Sequence, residues 1–101
     1  MFALQISYPV RDYEAFKKVF DTDPAGRAAS GARLVRLFRD AEDQNGVTVL
    51  LDFDTKDSAN AFLERLRSEV WDNPEVVGQL MTAAPTARIL EETAREGQGA
   101  G

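Results

Sequence analysis

The stretch RLVRLFRDAEDQNGVTVLLDF, residues 33–53, decides the fold. Arg33 to Arg39 and Val47 to Phe53 each read as a strand. The polar run Asp40-Ala41-Glu42-Asp43-Gln44-Asn45-Gly46 between them closes on a turn-favouring Asn-Gly. Val47, Val49, Leu51 and Phe53 share one face of the second strand, and Thr48, Leu50, Asp52 and Asp54 the other. In the first strand, Val35 and Leu37 oppose Leu34 and Phe38. Apolar residues on both faces predict a sheet that is at least partly covered on both sides.

Outward from this hairpin, the flanks repeat one pattern. Phe2, Leu4, Ile6 and Tyr8 alternate with Ala3, Gln5 and Ser7, which predicts a first strand ended by Pro9. Asp12 is placed to cap a helix whose stripe is Tyr13, Phe16, Val19 and Phe20. Asp23-Pro24 predicts a short additional helix over residues 24–30, stopped by Gly31. After the hairpin, Asp54 or Thr55 caps a long helix with Ala59, Phe62, Leu63, Leu66 and Val70 inward. Asn73-Pro74 repeats the cap-then-proline signal and opens a last short helix carrying Val76, Val77, Leu80 and Met81. Pro85 closes it, and Thr86 to Glu92 reads as the fourth strand. The order β-α-β-β-α-β predicts an α+β, ferredoxin-like fold: a four-stranded antiparallel sheet with its helices on one face. One domain is expected over residues 1–93, with a flexible tail over 94–101.

Two helices cover one face of such a sheet, so a second copy of the chain is the simplest cover for the other, and a homodimer is expected. Strand 33–39, with Arg33, Arg36 and Arg39, reads as an edge protected by charge.

Composition removes whole classes of function. The 101 residues include no His and no Cys, which excludes His-based triads, thiolate nucleophiles, disulfides, His-ligated haem and Cys-bound clusters. No metal or other cofactor is expected. Residues 46–101 carry the whole acidic excess behind the formal charge of -5. Arg27, Arg33, Arg36 and Arg39 form an acid-free stretch, but so acidic a domain repels a phosphate backbone, and no nucleic-acid partner is expected. No apolar run is long enough for a bilayer, and Met1 to Gln5 shows no export signal, so a cytoplasmic protein without a membrane partner is expected.

Several short strings together carry a resemblance: Val10-x-Asp12-Tyr13, Phe20-Asp21-x-Asp23-Pro24-x-Gly26-Arg27, Asp52-Phe53-Asp54, Phe62-Leu63 and Ala87-Arg88-Ile89. Over about residues 1–93 the chain resembles small bacterial proteins of the dimeric α/β-barrel superfamily, which includes antibiotic-biosynthesis monooxygenases and polyketide cyclases. The resemblance implies two four-stranded sheets facing each other across a dimer, with small ligands held between sheet and helices. It also implies that a Trp, an Asn, a Tyr and an Arg can surround an aromatic substrate. The oxygenase motif is not matched residue by residue, so no catalytic residue is carried over.

Candidate pocket residues are Tyr8, Tyr13, Phe16, Phe20, Phe62, Trp71 and Asn73. The aromatic stripe reads equally as plain core, Trp71 as a hydrophobic lid and Asn73 as a helix cap. Arg36 and Asp52 share a face and read as a cross-strand ion pair or a ligand-orienting pair. Asp23 to Arg27 reads as a capped turn with Arg27 paired locally, or as an anion clamp that Asp23 would neutralise. Three function classes stay open: a cofactor-independent monooxygenase or cyclase acting on an aromatic polyketide-like molecule, a non-catalytic pocket for a small apolar ligand, and a structural or assembly dimer.

Overall fold

A computed structural model describes residues 1–97. Its elements are β1 (Phe2–Pro9), α1 (Tyr13–Asp21), β2 (Leu34–Arg39), β3 (Gly46–Phe53), α2 (Lys56–Arg65), α3 (Pro74–Leu80) and β4 (Thr86–Glu91). The expected strand ends agree to within one residue, the ordinary uncertainty of a strand terminus, while α3 stops at Leu80, well before the Pro85 expected to close it. The part of the expected tail at residues 98–101 lies outside the described residues.

The alternation in β1 places Leu4, Ile6 and Tyr8 on one face, all buried. β1 pairs antiparallel with β3, Leu4 opposite Leu51 and Ile6 opposite Val49, and on its other side with β4, Leu4 opposite Ile89. β2 joins the far side of β3, giving the order β2-β3-β1-β4 with every pairing antiparallel. β2 is therefore an edge, as its arginines predict. Val47, Val49, Leu51 and Phe53 of β3 complete the inner face with exposures of 2% or less, and Phe16, Ala59, Phe62, Leu63 and Leu66 of the helices pack against them. Each large side chain so buried contributes about 1.5–3 kcal/mol.

The helix starts follow from their caps. Asp12 accepts the Glu14 N–H, Thr55 accepts the Ser58 N–H at 3.0 Å, and Asn73 accepts the Glu75 N–H at 3.0 Å. Thr55, not Asp54, is thus the cap of α2; Asp54 instead receives the Arg33 guanidinium. α3 is tied to the end of β1 by Arg11 N–H to Leu80 O at 2.9 Å and Thr82 N–H to Pro9 O at 2.8 Å, and by a bridge between Val10 and Met81.

Two local expectations are corrected. Residues 24–30 form successive turns and no helix, because Asp23 (φ 54°) and Gly26 (φ 70°) are both left-handed. Left-handed residues so close together prevent a right-handed helix from propagating. The Asp23 carboxylate still caps, accepting the Arg27 N–H at 2.7 Å, but what it caps is a turn. The long second helix ends in a π-helical turn over Leu66–Val70, closed by Trp71 N–H to Leu66 O at 2.7 Å. Such a turn widens the helix, and π-turns recur where a helix borders a functional site.

Candidate functional site

The inner face of the sheet does not close completely against the helices. Between β1, β3, α1, the α1–β2 loop, the π-turn and α3 lies a cavity of about 50 Å³. Its floor is Ile6, Val49 and Leu51, its walls are Phe16, Phe62, Leu66 and Met81, and its rim carries Phe20, Arg27, Val70 and Trp71. That volume holds a few water-sized atoms. An apolar cavity that admits a benzene ring is nearer 150 Å³, so a ring-sized ligand enters only when half-buried rim side chains swing aside. The aromatic rings themselves occupy the space. Tyr8 tilts against Phe16 at 5.0 Å between centroids, Phe16 stacks on Phe20 at 5.9 Å, and Trp71 meets Tyr8 edge-on at 5.9 Å.

Five of the seven residues expected at a pocket line this one: Tyr8, Phe16, Phe20, Phe62 and Trp71. Tyr13 does not. It begins α1 with its ring under the Arg39 guanidinium, 4.3 Å from the ring centroid. Asn73 is spent as the α3 cap and is exposed. The expected Arg36–Asp52 ion pair is absent among the described residues. The register sets Leu34 opposite Asp52 and Arg36 opposite Leu50, and the Arg36 guanidinium lies 5.8 Å from the Phe38 ring centroid.

The cavity's polar atoms are few and mostly donors. Burial pushes the Tyr8 phenol up to about 12, opposed by the Trp71 indole N–H and the nearby Arg27 charge, both of which favour the phenolate. At neutral pH Tyr8 is therefore a hydrogen-bond donor and not a base. Arg27 is the site residue that the aromatic pattern leaves out. Its guanidinium lies 3.8 Å from the Phe20 ring centroid and its Nε is 3.5 Å from Asp23 Oδ1. In the sequence it appears in the run Asp23 to Arg27, read as a capped turn with Arg27 paired locally or as an anion clamp. Among the described residues no group of three or more carboxylates is arranged to hold a metal ion, and no helix is long and apolar enough to cross a membrane.

No protein-family profile matches the sequence, and no curated protein matches it. Solved structures do. A Nitrosomonas europaea protein provisionally named an antibiotic biosynthesis monooxygenase superimposes with a TM-score of 0.70 at 16% identity, covering 93% of this chain and 100% of that one. An uncharacterised NIPSNAP domain protein from Burkholderia xenovorans gives 0.67 at 19% identity, covering 97% and 100%. A Caulobacter crescentus protein with the same provisional monooxygenase name gives 0.66 at 19% identity, covering 92% and 90%. At these identities the likeness speaks for the backbone, and the resemblance read in the sequence holds at that level: the chain has the ferredoxin-like βαββαβ fold of the proteins that carry the antibiotic-biosynthesis-monooxygenase name.

Proposed function

We propose that this chain acts as a homodimer that takes a small aromatic, polyketide-like molecule into the cavity between helices and sheet and oxygenates it without a cofactor. The observation that carries the reading is the cavity itself, an apolar space whose inner polar atom is a phenol held protonated to about 12. Donors that face an apolar chamber stabilise oxygen anions, and an activated phenol that has lost its proton is a carbanion equivalent able to react directly with dioxygen. In such a reaction a ring CH₂ becomes C=O, one oxygen atom is retained, and the other leaves as water with the two hydrogens. The substrate supplies all the electrons, so no external reductant is required. Names of structural neighbours add support. The exposed Leu34 and Phe38 on the open sheet face support the dimer.

The test is oxygen uptake with a panel of hydroxylated anthrones and naphthols. Expected is one dioxygen consumed per quinone formed, at a rate above that of the buffer alone. Saturable binding with no uptake from any compound would replace this reading with a non-catalytic binding protein, which the small volume of the cavity favours as the second reading. Light scattering at micromolar concentration tests the dimer, with about twice the 11.2 kDa chain mass expected.

A further inference from the structure

The α1–β2 loop is built more tightly than a connection requires. Asp23 accepts the Arg27 N–H at 2.7 Å, and Ser30 Oγ donates to the Arg27 carbonyl at 2.7 Å. Arg65 Nη1 donates across to the Ala25 carbonyl at 3.3 Å, and Ala25 is buried. Both backbone groups of Arg27 are thus engaged, and the residue is held firmly at the rim of the cavity.

Its side chain is in the opposite condition. Among the described residues the guanidinium makes no hydrogen bond. Its ionic neighbour is Asp23 Oδ1, 3.5 Å from Nε, an oxygen already engaged by the backbone. The side chain is 19% exposed and sets its guanidinium over the Phe20 ring, 3.8 Å from the centroid. A largely dehydrated guanidinium with most of its N–H donors unspent is primed to bind an acceptor. The Tyr8 hydroxyl lies close enough to feel its charge.

We infer that Arg27 selects the ligand of this cavity by holding the anionic oxygen of a molecule whose apolar body enters among Phe16, Phe20 and Trp71. The class is a monoanion with one charged group at the end of an apolar ring: a carboxylate, phenolate or enolate. Cations meet the guanidinium, and the one carboxylate beside it, Asp23, is already engaged by Arg27. A phosphate dianion meets the Asp23 carboxylate as well. The inference rests on the reading that the cavity binds a small molecule, and the experiment separates the two.

Benzoate and benzamide have nearly the same shape and differ in charge. Each is titrated into the wild-type protein, R27Q and D23N while the single indole N–H resonance, that of Trp71, is followed by NMR. Expected is benzoate binding about tenfold tighter than benzamide to wild type, a preference that R27Q reduces to within about twofold while benzamide affinity holds. D23N, which removes the competing charge but keeps a capping oxygen, tightens benzoate about threefold. Equal binding of the two probes by wild type, or a preference that survives in R27Q, overturns the role of Arg27 and leaves the cavity reading intact. An indole resonance moved by neither probe overturns both. Should R27Q fail to fold, the wild-type preference and the D23N shift decide the matter alone.

Discussion

The two faces of the sheet are made from the same strands and differ in almost everything else. On the helix side, β1 and β3 bury every inward residue except the half-buried Phe2, and the rings of Phe53 and Phe62 lie 5.8 Å apart. On the other side, Leu34 and Phe38 of β2 are 48% and 46% exposed and Leu90 of β4 is 37% exposed, while Asp52 between them is only 8% exposed. The first face is a finished core. The second has a core's residues at its edges with nothing over them, interspersed with Arg36, Arg88 and Gln5. The contrast teaches that burial within one chain accounts for the apolar residues of the helix side and leaves Leu34, Phe38 and Leu90 of the other side open to solvent.

The sharpest way to break that contrast is to remove a phenylalanine from each face. Phe53→Ala should cost about 3–5 kcal/mol, because a wholly buried ring leaves a cavity that the sheet cannot collapse. Phe38→Ala in the isolated chain should cost no more than about 0.5 kcal/mol. Urea denaturation of both variants, read at the lowest workable protein concentration, measures the difference. Equal losses would mean that the open face is as structurally important to the monomer as the closed one.

Tyr8 gives the next largest effect, and it appears only in alkali. Its folded value near 12 lies above the ordinary 10.0, so the folded state favours the protonated phenol. The sign follows: this contribution is complete below pH 10 and is lost as pH rises through 12, by roughly 3 kcal/mol in all. Stability of wild type minus that of Tyr8→Phe, plotted from pH 9 to 12, should fall accordingly. At neutral pH the substitution should cost about 1 kcal/mol for the lost polar contact. A flat difference curve would show that water reaches the phenol, and that the cavity is open to solvent.

Much of this arrangement is legible in the chain. Period-2 alternation identifies four strands, Pro74 exposes the capping role of Asn73, and spacing by three and four marks Phe16, Phe20 and Phe62 as neighbours of the sheet. What is not legible is either conformational or long-range. Asp23-Pro24 is as good a start for a helix as for a turn, and only the left-handed φ at Asp23 and Gly26 distinguishes them. The π-turn spans too few residues for its longer period to register. Tyr13 shares a helical stripe with Phe16 yet falls at the first position of α1, beyond the cavity, under an arginine from β2. Arg27 reaches the site through a loop, where no periodicity reports direction.

The open face makes a further prediction of intermediate size. If a second copy covers it, the urea midpoint of wild type should rise with protein concentration, since folding and association are then linked. Phe38→Asp should abolish that dependence and give the monomer mass by light scattering, while the midpoint at the lowest concentration stays where wild type has it. A midpoint independent of concentration in wild type would remove the second copy as the cover.

The smallest effect belongs to the junction between β3 and α2. Asp54 receives the Arg33 guanidinium through both Nε and Nη2, and the arginine holds its carboxyl below the ordinary carboxylate value. The direction is that of a stabilising pair, present above the ordinary carboxyl range and lost as pH falls through the lowered value. Yet the two side chains are 65% and 53% exposed, and water screens an exposed pair until little of the attraction survives. Asp54→Asn should therefore leave the urea midpoint of the isolated chain unchanged within error, in low salt and in high salt alike. The same measurement sharpens the comparison of the faces. Asp54 follows Asp52 of the open face by two residues, and a pair that is worth little in the monomer gains strength if a partner excludes water from it. Loss of stability in Asp54→Asn that appears only as the protein is concentrated would place this ion pair under the cover; loss at every concentration would show that the junction is shielded by the chain itself.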